Sequence, residues 1–228
     1  MSRKSAFRMA VWVAAILLAA SAGAARAAVL PLSSNSGEDA QPQINVEGNV
    51  VWQSWDGNDW EILLWDGAAT RQLTHNSEDD LNPRINNDGE VVWQSWDGTD
   101  WDIYHWNGST VLLRSTGTGD DILPQINNSS PAIITWQGHD GVDWEIWRWT
   151  GASAQTITAN SDDDIFPQVN DSSPAKITWQ RWDGTDWEIH RWTGASIQNL
   201  TNNSNDDIGP QIAESGTVVY QSWDGTDW

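Results

Sequence analysis

Residues 76–106 read NSEDDLNPRINNDGEVVWQSWDGTDWDIYHW, and nearly everything else in the chain is a variation on them. Pro83 opens a P-R-I segment, and the turn-forming NNDG leads into VVWQSW at 91–96, an apolar run rich in β-branched and aromatic residues. DGTDW then separates it from DWDIYHW. Asp-Gly between two such runs is a strong hairpin signal, because both residues tolerate the positive φ angles of a tight turn. The unit recurs. Pro42, Pro83, Pro124, Pro167 and Pro210 each open P-[QR]-[IV], at spacings of 41, 41, 43 and 43. The second run returns as VVWQSW at 50–55, IITWQ at 133–137, KITWQRW at 176–182 and VVYQSW at 218–223. The third returns as DWEILLW, DWEIWRW and DWEIHRW. A Gly-containing turn (WDGAA, WNGST, WTGAS) precedes a last short strand such as RQLT at 71–74 or IQNLT at 197–201. Four short strands at a period near forty, with no helical periodicity after residue 27, predict an all-β fold: a β-propeller of four-stranded blades. Four blades are full and a fifth is partial.

The order of polar Asp-containing loop, Pro, Gly turn, apolar strand, D-G turn and D-I-Y at 76–106 resembles the TolB-type, WD-repeat-like propeller family, and the resemblance covers residues 29–228. It implies blade architecture and leaves function open, since such propellers serve many roles. The chain departs from that pattern in its turns, which read NVEG, NNDG, AESG, NNSSPA and NDSSPA, and in its far denser Trp. No functional residue is therefore carried over from the family.

The N-terminus has a different character. Arg3, Lys4 and Arg8 precede an apolar run from Met9 to Ala20, and Ala25-Arg26-Ala27 supplies an A-x-A pattern, the order of a secretory signal peptide cleaved after Ala27. The run is short for a membrane span, so an exported chain, periplasmic or extracellular and soluble once cleaved, is expected. Residues 28–228 form the propeller, with blades opening near 42, 83, 124, 167 and 210. Residues 29–44 (VLPLSSNSGEDAQPQI) align with 197–212 (IQNLTNNSNDDIGPQI), so 29–34 is expected to be a fourth strand completing another blade. The sequence stops at Trp228, where a third strand should begin, as expected of a piece of a longer propeller. With no Cys there is neither disulfide nor thiol chemistry, and stability must come from apolar burial.

Without residues 1–27 the chain keeps seven Lys and Arg against 32 Asp and Glu, a net charge of −25. Such a field repels nucleic acid and anionic lipid and favours cations or basic proteins. In an antiparallel blade, the loop into the first strand and the turn between the second and third lie at one end, and 26 of the 32 acids sit in or just after these segments. Asp56, Asp59, Asp97, Asp100, Asp183 and Asp186 are the candidate metal ligands, with Ca²⁺ the cofactor that clustered hard oxygens suit. D-G-[TNV]-D-W-[ED] lacks the length and spacing of an EF-hand loop. The same carboxylates also serve turns and ties between blades. The Trp columns headed by Trp52, Trp60 and Trp65 are expected in the core between blades, whereas Trp55, Trp96, His139, Trp182 and Trp223, beside the acidic turn, are the candidate ligand-binding positions. No catalytic signature stands out. His75, His105, His139 and His190 occupy unrelated repeat positions, and there is no H-E-x-x-H, G-x-S-x-G or phosphate loop. N-x-[ST] at Asn107, Asn128, Asn170, Asn199 and Asn202 reads as turn composition. Three functions are open: a non-catalytic scaffold for a protein or other ligand, a lectin-like propeller stacking glycans on the Trp55 column, and the propeller of a hydrolase whose catalytic part lies elsewhere.

Overall fold

A computed structural model describes residues 14–17 and 28–228. All regular structure within them is β. Four four-stranded antiparallel sheets follow one another in order along the chain, then a two-stranded one. First strands run Asp39–Ile44, Asp80–Ile85, Asp121–Ile126, Asp164–Val169 and Asp207–Ile212. Second strands run Val50–Trp55, Val91–Trp96, Ile134–His139, Ile177–Trp182 and Val218–Ser222. Third strands run Trp60–Trp65, Trp101–Trp106, Trp144–Trp149 and Trp187–Trp192, and three-residue fourth strands begin at Thr70, Val111, Ala154 and Ile197. These are propeller blades, four full and one partial, as the repeat predicted.

The apolar core lies between blades. Val51, Ile62 and Leu64 of the first meet Val91 and Trp93 of the second; Val92 and Ile103 meet Ile134 and Trp136; Ile146 meets Ile177 and Trp179. Trp52, Trp93, Trp136 and Trp179 are buried. Each such indole removes roughly 150–250 Å² from water, worth several kcal/mol at about 25 cal/mol per Å². The expectation that the Trp60 and Trp65 columns are equally buried is corrected, since both are only half-buried. The Trp60 column stands at the strand end. The Trp65 column reaches the rim, where an Arg from the preceding blade covers it, Arg114 at 4.4 Å from the Trp149 ring centre and Arg148 at 4.1 Å from Trp192.

Polar ladders add to this stack. Asn45, Asn86 and Asn127 each donate through Nδ2 to the backbone carbonyl of the equivalent Asn one blade on, and Asn170 donates to Ala213 at 3.1 Å. Each first strand also carries a bulge. Asn82, Leu123 and Phe166 there hold φ of 56°, 56° and 57°, a left-handed conformation that side chains rarely adopt. Their N–H groups donate to Gln53, Gln94 and Gln137 of the preceding blade at 2.9–3.0 Å. The fifth copy has Gly209 at this place, bonded to Gln180.

Ala28–Pro31 pairs with Ala14–Leu17. Leu32 beyond it is buried against Val50 and Trp52 of the first blade. The signal peptide expected at 1–27 lies outside the described residues apart from Ala14–Leu17. Among the described residues no helix is long and apolar enough to cross a membrane.

Candidate functional site: the acidic end of the blades

At the end of each blade where the second strand turns into the third, an Asp closes the turn. Asp56 Oδ1 accepts from the N–H of Asn58 and Asp59, and Asp97, Asp140, Asp183 and Asp224 repeat the pattern. These bonds favour the ionised form. Backbone N–H groups hold Asp56, Asp97 and Asp140 below the usual carboxylate range, while the Thr185 hydroxyl, with backbone support, brings Asp183 to about 2. All four are exposed, fixed and negative.

Three residues on, the environment reverses. Asp59, Asp100, Asp143 and Asp186 are buried, and so are Glu61, Glu145 and Glu188 just beyond. Burial pushes all seven above their ordinary pKa. In each blade three carboxylates share a cup: Asp56, Asp59 and Glu61; Asp97, Asp100 and Asp102; Asp140, Asp143 and Glu145; Asp183, Asp186 and Glu188. One oxygen from each lies within 4.8 Å of one from the others. Two unit charges at ~4.8 Å repel by about 3.5 kcal/mol at an effective dielectric of ~20. Among the described residues, no ion pair involves a cup acid.

The acids at the entry to the first strands do other work. Asp79, Asp120, Asp163 and Asp206 accept from the N–H of Trp60, Trp101, Trp144 and Trp187 at 3.1 Å, tying each blade to the one before. Asp80, Asp121 and Asp164 receive the indole N–H of the buried Trp within their own blade. Their other surroundings differ. Asp164 is paired with Arg181 at 2.8 Å, whereas Asp121 faces Gly138 and burial pushes it to about 7. The acids at this end thus include turn carboxylates and inter-blade ties, the roles weighed from the sequence, and beside them buried groups.

The aromatic candidates stand beside the cups, all half-buried. Trp55 meets Trp60 edge to face at 5.9 Å, as Trp96 meets Trp101, His139 meets Trp144 and Trp182 meets Trp187. Trp223 meets Trp228 at 5.6 Å. His139 Nδ1 accepts from Gly141 N–H and so stabilises its own turn. A cleft of about 390 Å³ opens between the first two blades, lined by Trp96, Asp97, Asn76 and Glu78. The structure therefore brings each candidate Trp next to its candidate carboxylates, repeated blade by blade. Sequence reasoning missed the third cup member as a ligand candidate, although an acid follows D-W in four copies, and missed the Asn ladder, visible as P-[QR]-[IV]-N in four copies.

No family model matches the chain, and no match is found among curated proteins. Solved structures do resemble it. The putative TolB from Agrobacterium tumefaciens superposes with a TM-score of 0.56 at 18% identity, over 78% of this chain and 71% of that one. The β-propeller domain of the Trilobed protease from Pyrococcus furiosus, described as having an open velcro topology, gives 0.52 at 11% identity over 76% and 53%. A Mycobacterium tuberculosis puromycin-hydrolyzing peptidase gives 0.57 at 13% identity over 85% and 35%. The chain thus spans about half of the Pyrococcus domain and about a third of the peptidase. Identities this low speak for fold and not for activity. By its repeat, its sheets and these likenesses, the chain has a β-propeller fold, similar to that of TolB and of peptidase propeller domains.

Proposed function

We propose that this chain is an exported, non-catalytic scaffold that binds a basic protein partner through the acidic, Trp-bearing end of its blades. The observation that carries this reading is the repeated pairing of a half-buried edge-to-face aromatic pair with an exposed turn Asp held ionised. Aromatic anchors beside charged rims are what protein interfaces use: the ring supplies contact area, and the charge steers encounter and excludes wrong partners. The test compares the chain from residue 28 with a variant carrying Asp56→Lys, Asp97→Lys and Asp183→Lys, both as bait in an extracellular extract. Capture of basic proteins that weakens with salt and disappears in the variant is expected. Unchanged capture by the charge-reversed bait overturns the reading. Export is tested separately by N-terminal sequencing of the secreted chain, which is expected to begin at Ala28.

The likeness to a peptidase of which this chain spans 35% favours a second reading, the propeller of a hydrolase. The full-length gene tests it, and a reading frame that ends without a catalytic domain removes it. Binding on a glycan array, lost on Trp96→Ala at the cleft, would instead favour a lectin-like propeller.

A further inference from the structure

We propose that the four carboxylate cups are Ca²⁺ sites, one per blade, built from Asp56, Asp59 and Glu61 and their equivalents. Clustered acids alone do not make a site, since exposed carboxylates repel only weakly through water. Here the decisive feature is unpartnered oxygen inside the protein. Asp59 and Glu61 are 3% and 2% exposed, and Oδ2 of the one and Oε2 of the other have no hydrogen-bond partner. Asp186 Oδ2 and Glu188 Oε2 repeat this, and in the third blade both oxygens of Asp143 and Oε2 of Glu145 are unpartnered. Buried carboxylate oxygens normally find donors or metal, because an unpaired buried charge is costly. The same orphaned pair in the first, third and fourth blades is a built feature.

The remaining oxygens show how the cup is held open. Glu145 Oε1 and Glu188 Oε1 accept from the N–H of Asn160 and Asn203 in the loop to the next blade. The exposed Asp of each cup is locked by its own turn. The cups of the first, third and fourth blades thus combine one rim carboxylate with two buried ones that each keep an unpartnered oxygen. No His or Cys lies in any cup, so the donor set is all hard oxygen and excludes a zinc-type site. One oxygen of each acid lies within 4.8 Å of the others, so all three can reach one ion, and Ca²⁺ accepts an irregular, partly hydrated oxygen set where Mg²⁺ demands near-ideal octahedral geometry. Three protein carboxylates leave the other positions to water, so sub-millimolar affinity on the order of 10⁻⁴ M is expected, as in extracellular Ca²⁺ modules.

The cups are not equal. In the second blade Asp replaces Glu at the third position, Asp102 is partly exposed, and its Oδ1 already receives the Ser115 hydroxyl at 2.6 Å. That cup is the weak one. The fifth copy presents Asp224 and Asp227 with no third acid in this sequence. Three stronger sites and one weaker site are therefore expected. The inference stands on cup geometry alone and is independent of the partner proposed above.

Terbium(III) and Ca²⁺ test it on the chain from residue 28. Tb³⁺ luminescence excited through Trp is expected, because Trp60, Trp101, Trp144 and Trp187 directly follow the buried Asp of each cup, and Ca²⁺ should displace it. Melting temperature should rise in Ca²⁺ over EDTA by about 5 °C or more, since the ion binds only the folded chain. The variant Asp59→Asn/Asp143→Asn/Asp186→Asn removes buried charge without changing shape. It should fold at least as stably in EDTA, yet lose the Ca²⁺-dependent rise and most of the Tb³⁺ signal. A wild-type melting temperature equal in Ca²⁺, Mg²⁺ and EDTA, or a Tb³⁺ signal undiminished in the variant, overturns the inference.

Discussion

At the residue scale, one repeat position placed in different surroundings shows what each contact contributes. The buried first-strand Asp meets Arg181 in the fourth blade, Gly138 in the third and Ser95 in the second. Replacing Arg181 by Met leaves the wholly buried Asp164 with only the neutral donors of Trp179 and Asn160 and no counter-charge, and should cost about 3 kcal/mol at pH 8 by urea unfolding. In the fifth copy Tyr220 replaces the buried Trp, and Asp207 Oδ1 is left without a donor. Tyr220→Trp restores that indole N–H and should stabilise the chain by roughly 1 kcal/mol; a destabilised variant would contradict this account of the column. Gln137 serves its neighbour similarly. Gln137→Met removes the acceptor for the Phe166 N–H, which is held in a left-handed bulge, and should cost about 1–3 kcal/mol in the same assay.

At the scale of the strand and hairpin, the sequence was most legible where backbone geometry demands particular residues. Asp-Gly marked every turn between second and third strands, and the Pro column marked every first strand. Second strands fell within a residue or two of where the apolar runs placed them. Burial was less legible. In WEILLW one strand face meets the second blade and the other packs towards Leu32, so Glu61 reads as an outward polar residue and yet is buried. Alternation separates inside from outside only when one face meets water. The third strands also carry two buried imidazoles. Burial, with nearby Arg114 and Arg181 respectively, lowers His105 and His190 to about 4. The folded chain therefore keeps both neutral while the unfolded chain takes up protons below pH 6.5, so these two groups cost stability as pH falls from about 6.5 towards 4. They act in opposition to the buried carboxylates, whose raised pKa favours folding as pH falls. At pH 5 each imidazole should cost on the order of 1–2 kcal/mol, and His190→Gln should remove its share of that cost in melting measurements.

At the scale of the molecule, one end of the blade stack gathers most of the negative charge and half-buried Trp, while the opposite end carries the Asn ladder from Asn45 to Ala213. The ladder and the inter-blade cores make the stack a rigid base on which the acidic turns repeat at fixed spacing. That spacing, rather than any single blade, is what a partner or a row of cations would meet. The charge asymmetry could be counted from the sequence. So could the use of some acids in turns and inter-blade ties, but not which ones end in buried cups, because that depends on which faces the neighbouring segments cover. The most direct measurement is an anomalous difference map from crystals of the chain grown with Tb³⁺ at a concentration that Ca²⁺ reverses. Peaks are expected inside the cups of the first, third and fourth blades, within bonding distance of Asp59, Asp143 and Asp186, with a weaker one at Asp100. Cups that hold only water, with any Tb³⁺ scattered over the exposed rim, would contradict the account.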